Sequence, residues 1–402
     1  MAESGQVRRA RNAVYIVFTG AGFAFASWAS RIPQVRGELR LTPGVLGLIL
    51  LCAAIGSAVA IPLSGLVIAR LGESRAVVAM SLVAAAGLAT VAIGYRHGIP
   101  LVTAGLTLFG FGSGGWDVAM NVQGAAVEQA IGRAIMPRFH AGWSIGTVAG
   151  AGAGTAMVAV GVPVTAHLLA VALAVAVIVP AASRRFLPHS RAQAFPGRPA
   201  VRPSPLTAWT EARTLVIGLF VLCMTIIEGA GNDWLSLGVI DGYHTAAVVG
   251  TVTFAIFLAA MTTGRWFGPA FIDRYGRVRV LRVSAVTALA GLLLIAFGGL
   301  LLVVLAGAAL MGLGTALGFP VGLSAAADEP RHAAGRVSAA SSIGYAAFLA
   351  GPPVIGFLAD HVGVLNALSA ASVLLATAFF CCRATAPIGQ PVSGADTATP
   401  RD

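Results

Sequence analysis

The chain has 402 residues, 57% of them hydrophobic and only 10% charged, with a formal net charge of +11. A soluble protein carries about 25% charged residues, so this chain has too little charge to cover a water-facing surface. The basic excess does not point to nucleic acid: all 26 basic residues are arginines, gathered in short segments between apolar runs, as the positive-inside rule expects of a membrane protein.

Twelve apolar runs follow one another, over residues 12–32, 43–69, 76–95, 99–123, 139–161, 163–184, 212–236, 246–270, 279–298, 299–324, 337–359 and 363–383. Each approaches or exceeds the ~20 residues a helix needs to cross a bilayer. The runs are continuous rather than alternating, which excludes a β-barrel. The expected fold is therefore an all-α polytopic membrane protein of twelve transmembrane helices. Arg8, Arg9 and Arg11 precede the first run, which reads as a retained helix, since eleven more follow it. With the N-terminus in the cytoplasm, inner segments hold 21 arginines and outer ones four, Arg31, Arg36, Arg40 and Arg96, with Arg265 inside a span. That asymmetry places both termini inside, in the cytoplasmic (inner) cell membrane.

The first run ends with Trp28 and Arg31. The fourth contains "GFGSGGWDVAMNVQ", residues 110–123, whose glycines Gly110, Gly112 and Gly115 match a dinucleotide-binding fingerprint. That fingerprint needs a preceding strand, which is lacking, so the glycines read as a helix-packing seam. At helical spacing Gly110, Gly114, Asp117, Asn121, Gly124 and Glu128 form one small, polar stripe that faces protein or water. A carboxylate inside a span is costly and marks a functional site by default. Asp117 and Asn121 are thus candidates to bind a proton and solute, the alternative being a bond to a neighbouring helix. Folding the next turn about residues 132–134 brings Glu128 near His140 and Arg138, and Asn121 near Ser144. The first three would brace the inner end or titrate there. The fifth run is glycine-rich, "GTVAGAGAG" (146–154).

Residues 185–211, rich in Pro and Arg, break the pattern and read as a linker between halves. The seventh run carries "TIIEGAGNDWLS" (225–236), with Thr225, Glu228, Asn232 and Ser236 on one face and Asp233 beside it. Glu228 and Asn232 join the candidates for proton and solute binding. Arg265 either snorkels to the inner interface or pairs with Asp273. The eleventh run holds "AGPPVIG" (350–356), and the tail beyond Arg383 is polar and expected to be disordered. Cys52, Cys223, Cys381 and Cys382 all lie in apolar segments and read as core residues. No metal-ligand cluster or cofactor motif appears. There is no phosphate-cradling loop and no lysine to serve one, so the chain is neither an enzyme nor an ATP-driven pump.

The two halves echo each other: "FGFGSGG" (109–115) and "MGLGTALG" (311–318), "SIG" at 144–146 and 342–344, "GR" at 132–133 and 335–336, and Trp28 and Trp234 near the ends of equivalent helices. Such near-constant shifts argue for a duplicated six-helix unit. The expected domains are 1–184, the linker 185–211, 212–384 and the tail 385–402, with the two six-helix bundles pseudo-symmetric.

This arrangement resembles the major facilitator superfamily. The loop "GLVIARLGESR" (65–75) is similar to that family's signature through Gly65, Arg70, Gly72 and Arg75, but Ala69 replaces the usual aspartate. "GPAFIDRYGRVR" (268–279) keeps Asp273, Arg274, Gly276 and Arg277, and "GFLAD" (356–360) is a further echo. The resemblance implies a charge-relay latch from Arg70, Arg75, Asp273, Arg274 and Arg277, with the first-half latch weakened at Ala69. Residues 117–146 and 27–36 resemble the YbjJ-type bacterial transporters, relatives of the fucose-permease group. The implied function is alternating-access transport of a small solute, sugar-like by this resemblance, with protons, by a chain expected to be monomeric. In that frame Arg31, beside Trp28, would pair with Asp233 or Glu228 to close the outer side, or snorkel. Proton-coupled efflux of amphipathic compounds, or a non-transporting receptor or scaffold, are the alternatives.

Overall fold

The computed structural model describes residues 5–131, 135–188, 205–329 and 332–387. The first half runs α1 (Gly5–Ala29), α2 (Ile32–Leu39), α3 (Pro43–Leu71), α4 (Glu73–Gly94), α5 (Ile99–Ile131), α6 (Met136–Ala159) and α7 (Val164–Ser183). The second runs α8 (Ala212–Asp233), α9 (Leu235–Tyr243), α10 (Ala247–Tyr275), α11 (Arg277–Phe297), α12 (Leu301–Thr315), α13 (Gly318–Ala326), α14 (Ala333–Val362), α15 (Val364–Ala370) and α16 (Ser372–Cys381). Two stretches the sequence presents as single runs, 299–324 and 363–383, are each built from two consecutive helices. Ten helical units are long and apolar enough to cross a membrane. Helices α5 and α6, 33 and 24 residues long, complete the expected twelve. We name the ends inner and outer from the arginine asymmetry.

The first and seventh spans each run on at the outer end into a short helix, α2 and α9, longer than their apolar patterns suggest. Both extensions stop at a residue in the left-handed region, Arg40 and His244, each with φ of 51°. At the inner end the signature loops share a second device. Gly72 and Gly276 have φ of 77° and 81° and end α3 and α10, so the chain re-enters a helix at once. Only glycine takes that backbone without strain, which explains why both loops keep it although the aspartate is lost from one.

Within the first half α5 packs on α3 and α4, and α1 on α6; across the halves α3 packs on α14 and α6 on α10. The fingerprint glycines do form a seam. A Cβ on Gly110 would strike the Ala53 carbonyl of α3, and one on Gly112 would strike Ala84 of α4. Between halves, a Cβ on Gly47 would lie 2.5 Å from the Pro352 carbonyl. Close backbone approach of this kind supplies the packing that a bilayer does not, since lipid gives helices no hydrophobic push together. Residues 189–204, the body of the expected linker, and the tail beyond 387 lie outside the described residues, as does the "GR" at 132–133.

Candidate functional site

Asp117 lies midway along α5, below the glycines that seat against α3, and is exposed. Its recorded partner is Asn121, one turn on, whose amide donates to the Asp117 carbonyl at 2.8 Å and to its carboxylate at 3.3 Å. No cation pairs with Asp117 among the described residues. Tyr345 of α14, in the other half, lies within electrostatic range of it and is 43% exposed. The tyrosine heads an aromatic run on the second half, with ring centroids 6.0 Å from Phe319 and 6.1 Å from Phe348. On the first half Phe25 stacks on Trp143 at 6.2 Å.

The second half compensates its carboxylate differently. Glu228 of α8 accepts from Arg265 Nη2 of α10 at 2.7 Å, and Arg265 Nε donates to the Ala316 carbonyl at 3.3 Å. The sequence reading of Arg265 as a snorkelling residue or a partner of Asp273 is thus corrected. Its spacing on α10 turns it to α8, where an inward carboxylate is the stronger attraction. Arg265 also acts electrostatically on His140 of α6, whose ring meets Phe18 edge-on at 5.3 Å. Asp117, His140, Glu228, Arg265 and Tyr345 therefore bring charge and hydrogen-bonding groups from five helices and both halves to the interior. Asn232 lies further out on α8, and its side-chain oxygen is buried without a partner.

At the outer end the expected Arg31 pairing with Asp233 or Glu228 is not formed. Arg31 is 2% exposed, so it does not snorkel either. It turns into its own half, where its Nε donates to His167 Nδ1 of α7 at 2.9 Å. Trp28 is buried one turn earlier. The cross-half ion pair lies five residues further on, between Arg36 of α2 and Asp241 of α9. Asp233 is half-buried at the end of α8 and pairs with no cation among the described residues. A second clasp joins α14 to α3: the Asp360 carboxylate accepts from the Gly44 amide at 3.0 Å and reaches Thr42 Oγ1 at 3.5 Å. An anion at a helix N-terminus is favoured by the free amides and the helix dipole.

At the inner end the Glu128–His140–Arg138 cluster is also corrected. The Glu128 carboxylate instead accepts the backbone amides of Ile135 and Met136, both at 2.7 Å, and so caps α6. Those unpaired amides bind a carboxylate without needing the long side chains to be ordered. In the second half Asp328 accepts from both Arg213 and Arg277, at 2.9 and 3.0 Å. Arg336 joins Glu211 and Glu329, and His332 meets Glu329 at 3.1 Å. Hydrogen bonds from Arg336 hold both the Glu211 and Glu329 carboxyls below the usual carboxylate range. Of the expected latch residues, Arg277 therefore enters a network, and Arg274 sits over the Tyr275 ring at 5.3 Å. Arg70, Arg75 and Asp273 make no ion pair among the described residues.

Cross-half hydrogen bonds among the described residues are confined to the outer clasps and to Thr262, which donates to the Ser144 carbonyl at 3.5 Å near the middle. None joins the halves at the inner end. The sequence reading missed Tyr345, His167, Asp241 and Asp360. Asp241 and Asp360 stand out as acids at outer span ends, but nothing in the order of residues says which arginine or helix end they meet.

The model of the Major Facilitator Superfamily matches residues 14–340 and 234–401. An MFS-type transporter of Yersinia pestis is 30% identical over 365 residues, covering 90% of this chain and 92% of that one. Membrane protein MosC of Rhizobium meliloti is 28% identical over 358 residues, 89% of this chain and 85% of that one. Among solved structures, the nucleoside transporter NupG superimposes with a TM-score of 0.74 at 16% identity, covering 95% of this chain and 99% of that chain. The Escherichia coli fucose:proton symporter FucP gives 0.62 at 17% identity, covering 94% and 98%. At those identities the two structures speak to the fold alone.

Proposed function

Because the chain belongs to the major facilitator superfamily, and is thus a multi-pass secondary transporter of a solute rather than an enzyme, we propose that it takes up a small, polar, sugar-like solute together with protons. Its home in this reading is the inner membrane, with both termini cytoplasmic, where it works as a monomer of two six-helix halves, 1–184 and 212–384. The observation that carries the reading is Asp117: an accessible carboxylate in the middle of a span, hydrogen-bonded to Asn121 and without a cation among the described residues. A bare charge is costly at that depth. A proton taken up by Asp117 lets the two halves close around it without burying that charge.

Asn121, the Glu228–Arg265 pair and the Tyr345 hydroxyl offer donors and acceptors on both sides of the same space, which suits a solute with several hydroxyls. The aromatic rings of Phe319, Tyr345 and Phe348 suit the apolar face of a ring. A fucose:proton symporter and a nucleoside transporter share this fold, and fucose and nucleosides are both ring-bearing polar molecules. The outer clasps, Arg36–Asp241 and Asp360 on the α3 N-terminus, hold the halves together at the outer end, with no counterpart at the inner end among the described residues. Breaking them while the inner ends approach is the movement alternating access requires.

The test is solute-driven proton movement in vesicles, run against a library of sugars, polyols and nucleosides. Wild type should acidify the lumen with one solute class, and Asp117→Asn should lower coupled uptake about 100-fold, ~3 kcal/mol at tenfold per 1.4 kcal/mol. Unchanged coupling in Asp117→Asn would remove the proton assignment. Export of amphipathic dyes in place of uptake would reverse the direction.

A further inference from the structure

Positive-inside asymmetry leaves four arginines at the outer ends, Arg31, Arg36, Arg40 and Arg96. Of these only Arg36 has a carboxylate partner among the described residues, namely Asp241. Arg31 is the anomaly. It is 2% exposed, so its charge is withdrawn from water, yet its one recorded partner is a histidine nitrogen. A buried charge needs an opposite charge or it is strongly unfavourable.

The groups around it are matched in kind. Ser27 lies in the last turn of α1, Arg31 caps the start of α2 and Gln34 lies in the first turn of α2, so the three follow one another around the α1–α2 junction. His167 approaches that face from α7, and Tyr95 from the end of α4 lies within electrostatic range of Arg31. Arg96 Nε donates to the Tyr95 hydroxyl at 3.0 Å, bringing a second guanidinium to the same corner. Because His167 Nδ1 accepts from Arg31, its proton sits on Nε2. The buried polar atoms without a protein partner here are Arg31 Nη2, His167 Nε2, Ser27 Oγ and the Gln34 amide nitrogen and oxygen. Four of these five are donors, and one belongs to a cation. A water molecule can bridge donors but cannot neutralise the guanidinium. Ser27 is 0% and His167 5% exposed, so an occupant beside them would be shut off from bulk water.

We propose that Ser27, Arg31, Gln34 and His167 form a binding site for a small inorganic monovalent anion of the chloride type, at the outer end of the first half. The site is separate from the Asp117 face and does not depend on the solute assigned there. The anion would fix α2 to α7 and so set the base from which Arg36 reaches Asp241.

The experiment uses the full chain in detergent micelles. Melting is followed by tryptophan fluorescence while sodium chloride replaces sodium gluconate at constant ionic strength. Wild type should show a saturable, single-site rise in melting temperature, as linkage requires of a ligand that binds only the folded state. Bromide should act likewise, and sulfate should not. Gln34→Leu and Ser27→Ala should raise the half-saturating chloride concentration about tenfold, the loss of one hydrogen bond to an ion. Arg31→Gln should abolish the response. In crystals grown with bromide, one anomalous peak should fall within reach of Arg31 Nη2 and His167 Nε2. A wild-type melting temperature indifferent to chloride would overturn the site, as would a response unchanged in Gln34→Leu and Ser27→Ala, or bromide peaks elsewhere only.

Discussion

The two halves descend through the same order of helices but compensate their charges in opposite ways. In the second half, Glu228 meets Arg265 in mid-membrane, and Asp328, Glu211 and Glu329 bind Arg213, Arg277 and Arg336 at the inner end. In the first half, among the described residues, Asp117 meets no cation and Arg31 no carboxylate, and Glu128 turns its charge to backbone amides. Paired groups in a low-dielectric setting hold structure, because each is costly without the other. Unpaired ones are where a proton, a solute or an ion can supply what the protein does not. The difference assigns ligand chemistry mainly to the first half and bracing mainly to the second.

Neutralising substitutions should divide along that line. The largest effect expected is the loss of coupled uptake in Asp117→Asn, with the melting temperature unchanged or raised, because no ion pair is broken. Arg265→Met should do the reverse: it strands Glu228 and should destabilise by ~3 kcal/mol. Adding Glu228→Gln should recover most of that loss, measured by thermal melting in detergent. If Arg265→Met melted like wild type, the pairing contrast would be gone.

Glu128→Ala removes a cap and should cost about 1–2 kcal/mol, with little salt dependence, because its partners are fixed backbone dipoles. Exchanging Arg36 and Asp241 should preserve their clasp, whereas Arg36→Asp alone opposes two acids. The single variant should shift cysteine labelling toward outer accessibility, at a cost of about 1 kcal/mol for a partly exposed pair. The smallest effect concerns acid. Glu211 and Glu329 titrate below their ordinary range, so their contribution is present above about pH 4.3 and fades as pH falls through their lowered values. Arg336→Gln should flatten that acid limb of the melting curve and leave its neutral region nearly unchanged.

Much of this was legible from residue order. The twelve spans, the repeat, the inward polar stripe of α5 and the glycine seam follow from hydropathy and helical period, which are local properties. The failures share one cause. From the sequence, Arg31 pairs with Asp233 or Glu228, Arg265 with Asp273, and Glu128 with His140 and Arg138, the two arginines otherwise snorkelling. The structure instead gives them a histidine on α7, a glutamate on α8 and two backbone amides. Which partner a side chain meets depends on helix rotation and on side-chain reach across a packed interface. Neither is written in the spacing along one helix.

Composition and pattern by themselves determined a membrane-spanning helical protein, since a bilayer leaves the backbone no other way to satisfy its polar groups than a helix or a closed barrel. They also determined the polar faces of α5 and α8. Only the tertiary structure decided that, among the described residues, Asp117 meets no cation while Glu228 does, that Arg36 rather than Arg31 crosses between halves, and that the halves share hydrogen bonds at the outer end and near the middle. Those outcomes depend on distances of a few ångströms between residues separated by up to 318 positions in the chain, and Coulomb and hydrogen-bond energies are decided at that range.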